Sequence, residues 1–85
     1  MEIAYTKKAE NDIHHWKLSG NSSIQSKITQ LIEAIELNPY KGIGKPEPLK
    51  HQLSGKWSRR INQEHRIIYF VTDNKIIILS LKGHY

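Results

Sequence analysis

Glu47 stands between Pro46 and Pro48, in a segment otherwise crowded with cations. Each proline restricts the local backbone, so together they can hold a carboxylate in a fixed place. A carboxylate held in this way is a candidate general base for a hydroxyl proton. On spacing alone, the plainer reading, a loop glutamate in an ionic contact, comes first. Arg66, in Glu64-His65-Arg66, opens a strand-like run. Its planar guanidinium can grip a phosphate through two parallel hydrogen bonds. The plainer alternative is a strand-end salt bridge. Arg59 and Arg60 are neighbours on a strand, where side chains alternate, so only one of them readily faces the site of Arg66. His84-Tyr85 follows an apolar run. Histidine suits proton transfer near neutrality, and a tyrosine can stack on a base.

Charge is concentrated around these residues. Thirteen Lys and Arg against eight Asp and Glu give +5 with neutral His. Residues 1–40 are net -1 and residues 67–85 net +1. Between them, Lys41, Lys45, Lys50, Lys56, Arg59, Arg60 and Arg66 face only Glu47 and Glu64, net +5. Such a segment attracts phosphates and speeds association with nucleic acid, or it keeps a solvated face soluble.

Several function classes drop out. With no cysteine there is no disulfide, thiol nucleophile or Cys-containing metal site. The histidines at 14, 15, 51, 65 and 84 form no metal-binding pattern, and no metal or other cofactor is expected. GIGKPE lacks the glycines and helix start of either common phosphate-binding loop. No apolar run reaches the roughly 18–20 residues of a membrane span. The start, MEIAYTKKAEND, has no apolar core of a signal peptide, so a cytoplasmic protein is expected. At 85 residues, 38% hydrophobic and 25% charged, the chain suits one small globular domain over residues 1–85.

The elements that must position these side chains follow from periodicity. Met1, Ile3 and Tyr5 alternate with Glu2 and Ala4, as in a strand. Thr6 can cap a helix whose stripe is Ala9, Ile13 and Trp16, broken at Gly20-Asn21. Ser22 with Gln25 is a capping-box signature for a second helix. Its stripe is Ile24, Ile28, Leu31, Ile32 and Ile35, and Pro39 ends it near Leu37 or Asn38. Glycines and prolines make 41–56 a loop. Trp57, Arg59 and Ile61 then share one face of a strand, Ser58 and Arg60 the other. Strands over 66–71 and 76–81, joined by Thr72 to Lys75, should pair as a hairpin and bring Arg66 near Leu81. The expected fold is α+β: an N-terminal strand and two helices packed on one face of an antiparallel sheet.

Gly42-Ile43-Gly44-Lys45-Pro46-Glu47-Pro48-Leu49-Lys50, Leu53-Ser54-Gly55, Trp57-Ser58-Arg59-Arg60-Ile61, Glu64-His65-Arg66 and the final His84-Tyr85 resemble the Txe/YoeB family of toxins. The likeness runs over nearly the whole chain. The combination of GKPEPLK, WSRRI, EHR and HY is specific where each piece alone is weak. The resemblance implies the RelE superfamily, with a fold like that of small microbial ribonucleases. It implies a toxin of a type II toxin–antitoxin pair that binds the ribosome, cuts messenger RNA in the A site and is neutralised by a cognate antitoxin. It also makes a homodimer plausible.

Carried over residue by residue, the resemblance gives Glu47 as general base, His84 as general acid and Arg66 as the phosphate-stabilising arginine. Lys50, Arg59 and Tyr85 become supporting active-site residues. The full expected set is Glu47, Arg66, His84 and Tyr85 for catalysis, with Lys45, Lys50, Arg59 and Arg60 binding substrate. Gly83 is expected to leave the tail loose, so that an external surface fixes His84-Tyr85. The rival reading is a non-catalytic basic module that binds RNA or protein.

Overall fold

The computed structural model describes residues 1–83; His84 and Tyr85 lie outside them. Strand β1 (Glu2–Tyr5) leads directly into helix α1 (Lys7–Ser19). The Thr6 hydroxyl accepts the Ala9 N–H at 3.2 Å, and Gly20 ends the helix in a left-handed conformation at φ 72°. Helix α2 (Ser22–Leu37) is the amphipathic element expected, with Ile24, Ile28, Leu31 and Ile35 buried. Its start differs from the expected capping box. Asn21 is the cap, its side-chain oxygen accepting the Ile24 N–H at 3.1 Å. Gln25 instead donates to the Trp16 carbonyl at 2.8 Å, tying α2 to the end of α1.

Beyond Pro39 the chain makes a two-residue strand, β2 (Glu47–Pro48), and a single 3₁₀ turn at His51–Leu53. Strands β3 (Trp57–Arg60), β4 (Arg66–Thr72) and β5 (Lys75–Ser80) follow. The sheet order is β1-β5-β4-β3-β2, and β2 to β5 run antiparallel. Asp73 and Asn74 turn the β4–β5 hairpin with φ of 47° and 62°, a conformation that Asp and Asn tolerate better than most residues. The α+β class stands as expected, with one addition: β1 pairs parallel to β5, making the sheet mixed. A parallel partner needs a long crossover, and here nearly the whole chain supplies it.

One face of the sheet carries the helices. Leu31 and Ile35 of α2 meet Ile67, Tyr69, Ile76 and Ile78, all fully buried. Each such side chain stabilises the fold by roughly 1.5–3 kcal/mol. Paired residues share a face, so the register sorts the remainder. Trp57 opposite Tyr69 and Arg59 opposite Ile67 lie on the helix side. Glu47 opposite Ser58, Ser58 opposite Ile68, and Arg60 opposite Arg66 lie on the other.

Candidate active site

The open face brings together three residues from three strands. Glu47 sits on β2, Arg60 on β3 and Arg66 on β4, in register and on one side. Glu47 and Arg60 are exposed, and Arg66 is partly buried. Between Glu47 and Ile68 lies Ser58, fully buried, whose hydroxyl has no hydrogen-bond partner among the described residues. Lys45 and Lys50 flank β2 and are exposed. Glu47, Lys50 and His51 line an open hollow of about 410 Å³ with Pro48, Leu49 and Leu53. Lys45 and Arg60 line a neighbouring hollow of about 350 Å³, joined by Lys27 of α2. The basic surface therefore extends past the segment that the sequence marks.

Two residues bracketing β2 hold left-handed backbone, Lys45 at φ 53° and His51 at φ 60°. Such a conformation costs a side-chain-bearing residue roughly 1–2 kcal/mol and persists where the surroundings over-determine it. Both lie within four residues of Glu47.

Arg59 corrects the sequence expectation. It was expected among the substrate-binding residues, yet it is fully buried on the helix side of β3. Its Nη2 donates to the carbonyls of Asn38 at 2.6 Å and Lys41 at 3.0 Å, and Nη1 to Ile43 at 3.2 Å. The guanidinium is a tie for the loop between α2 and β2, with its donors turned away from the open face. Alternation leaves Arg60 as the arginine that shares a face with Arg66. Tyr69 completes the tie by donating its hydroxyl to Pro39 at 2.6 Å. Burial pushes its phenol above the usual 10.0, with the Arg59 hydrogen bond and charge acting the other way.

His84 and Tyr85, two of the expected catalytic residues, lie outside the described residues. A bulge between Ile68 and Tyr69 advances the β4–β5 register, and the Arg66 N–H donates to the Gly83 carbonyl at 3.1 Å. The hairpin thus brings Gly83 to the Arg66 backbone, where the expectation had Leu81. The expectation that Gly83 loosens the tail is not met at Gly83 itself. Its own N–H donates to His65 Nδ1 at 2.8 Å, so both backbone groups are held. Periodicity placed Trp16 in the stripe of α1 but assigned neither it nor Asp12, which both bind Leu81, nor His65 a role at residues 81–83. The available signal was a polar Asp12 four residues ahead of Trp16 on the buried face of α1.

Two helices on one face of a five-stranded sheet, with a basic open face opposite, define a RelE-like toxin fold. The YoeB/ParE toxin from Agrobacterium tumefaciens superposes with a TM-score of 0.94 over 100% of both chains, at 34% identity. The YoeB dimer from Staphylococcus aureus gives 0.89 at 42% identity, covering 100% of this chain and 98% of that one. The YoeB–YefM complex from the same organism gives 0.88 at 43%, with the same coverage. Toxin YoeB of Synechocystis sp. is 46% identical over 85 residues, spanning 100% of this chain and 98% of its own. Residues 5–85 match the family model of the YoeB-like toxin of bacterial type II toxin–antitoxin systems. The chain belongs to that family.

Proposed function

We propose that the protein is an endoribonuclease that cuts messenger RNA in the ribosomal A site and so stops translation. The observation that carries this reading is the shared open face of Glu47, Arg60 and Arg66, with Gly83 bonded to the Arg66 backbone. Glu47 takes the proton of an RNA 2′-hydroxyl, and that oxygen attacks the adjacent phosphorus. Arg66, helped by Arg60 and Lys50, stabilises the charge that builds on the non-bridging oxygens. His84 protonates the departing 5′-oxygen, and Tyr85 stacks on a base. The products are a 2′,3′-cyclic phosphate and a 5′-hydroxyl. RNA supplies the nucleophile and side chains supply the acid and the base, so the reaction needs no metal. Lys45 holds the neighbouring phosphates.

The family places the protein beside a cognate antitoxin, as YoeB stands with YefM in the Staphylococcus aureus complex. A homodimer is part of the reading, on the model of the dimer from that organism. Among the described residues no helix is long and apolar enough to cross a membrane. The ribosomal substrate makes the cytoplasm the site of action, and the 85 residues act there as one domain.

The test is cleavage of message on programmed ribosomes with end-group analysis, wild type beside E47A. A 2′-deoxy substitution at the cut site should abolish cleavage, and E47A should slow it by about 10²–10⁴-fold. Products with a 5′-phosphate and a 3′-hydroxyl would rule out 2′-oxygen attack. Message bound but never cut would favour the non-catalytic basic module.

A further inference from the structure

Strand β5 ends at Ser80, and from there the sheet no longer supplies the backbone's partners in full. Side chains take over. The Leu81 N–H donates to Asp12 Oδ2 at 2.9 Å, and the Leu81 carbonyl accepts from Trp16 Nε1 at 2.9 Å. The Gly83 N–H donates to His65 Nδ1 at 2.8 Å, and its carbonyl accepts from the Arg66 N–H at 3.1 Å. Asp12 and Trp16 come from one turn of α1 and are buried. Trp16 also sets its ring edge-on against His65, with centroids 4.8 Å apart and planes at 77°.

We propose that His65 is a positioning residue for the segment 81–83, acting with Asp12 and Trp16 to fix where the chain passes into His84. The inference rests on the reading of His84 as the general acid. Accepting from Gly83 requires a bare Nδ1, so the ring carries its proton on Nε2, the nitrogen 3.8 Å from Glu64. Gly83 stands at φ 91°, with no atom of the other described residues within 4 Å of where a Cβ would be. Among those residues, its backbone conformation is what calls for glycine. A proton donor carried on such a segment depends on it strongly, because misplacing a reacting group by about 1 Å can cost 10²-fold in rate. His65 acts through the backbone of Gly83.

The test compares H65L, which removes the acceptor, with H65N, whose side-chain oxygen can stand where Nδ1 was. Hydrogen exchange of the Gly83 amide reads the tether without reference to activity. It should quicken about tenfold or more in H65L, return toward wild type in H65N, and leave the Ile67 and Tyr69 amides unchanged. On programmed ribosomes, kcat should fall by about 10–100-fold in H65L at constant KM and recover in H65N. Unchanged Gly83 exchange in H65L would overturn the proposal, as would full kcat in a variant whose tether is lost. If wild type itself fails to cleave, the ribonuclease reading falls, and exchange alone decides the tether. Should H65L fail to fold, W16F keeps an aromatic ring, though a smaller one, while removing the donor to Leu81, and should lower kcat in the same way.

Discussion

Arg59 donates its Nε–H to the Tyr69 hydroxyl across 3.0 Å, inside the core and under the sheet. Through this pair the carbonyls of Asn38, Pro39, Lys41 and Ile43 are all bonded to two side chains. The loop that presents Glu47 is thus tied down from beneath, on the face opposite the site. Arg59→Met should destabilise by about 1–3 kcal/mol, since the part-buried carbonyls of Asn38, Lys41 and Ile43 and the buried Tyr69 hydroxyl all lose their donor. Arg59→Lys should recover only part, because an ammonium cannot reproduce the guanidinium's planar fork. Urea melts of the two variants check this, and wild-type stability in Arg59→Met would refute it.

Arg60 should behave in the opposite way. Its side chain is exposed on the open face, opposite Arg66. Arg60→Ala should leave the urea midpoint within about 0.5 kcal/mol of wild type, as is usual for surface sites. Cleavage on the ribosome should fall, and the salt dependence of ribosome binding should become shallower. The same assay on both arginine variants separates a stability defect from a site defect.

Gly44 is the most constrained glycine in the presenting loop. A Cβ there would meet Leu31 Cδ2 at 2.6 Å and Arg59 Cβ at 3.1 Å, at a φ of 84°. Its carbonyl accepts the Arg60 N–H at 2.6 Å, so relief by moving the backbone breaks that bond. Gly44→Ala should destabilise by about 2–4 kcal/mol, combining overpacking with left-handed strain. It should also lower cleavage by shifting Glu47. Thermal unfolding and single-turnover rates read the two effects separately.

Alkaline stability should report on Tyr69. Burial raises its phenol above 10.0 in the folded protein, partly offset by Arg59. A group with a raised folded value holds its proton more tightly when folded. Its contribution is therefore complete below about pH 10 and is lost as pH climbs through the folded value. Tyr5, raised by burial and then by Glu36, adds to the same decline. Tyr69→Phe should be less stable at neutral pH yet lose stability less steeply above pH 10. An unchanged alkaline slope in both Tyr69→Phe and Tyr5→Phe would contradict this.

Local pattern carried α2 and the β4–β5 hairpin into the sequence reading almost intact, because an amphipathic stripe and an Asp-Asn turn are short-range signals. Alternation also grouped Trp57, Arg59 and Ile61 correctly. What it could not supply was which group faced the helices, since a charge argues for the solvent side until its carbonyl partners are known. The parallel pairing of β1 joins Glu2 to Lys75, and no local period encodes a contact so distant. The bulge escaped notice because Ile76, Ile77, Ile78 and Leu79 are apolar throughout, leaving no alternation to reveal a slip. Gly83 was misjudged for a similar reason: its acceptor, His65, lies 18 residues away. For Glu47, His84 and Tyr85 the residues themselves offered weak signals, and the family resemblance supplied their roles.

The prolines around Glu47 have an effect at the margin of the sheet. Leu49 turns its N–H inward to the Lys56 carbonyl at 2.9 Å, so the alternate positions, Pro46 and Pro48, turn outward. Neither has an N–H to offer. An extended chain arriving beside Pro46 and Pro48 would find carbonyl acceptors without donors there, which disfavours a sixth strand along β2. The border beside the basic face is thereby protected from self-aggregation and from strand-adding partners. The other edge, β1, carries no such prolines.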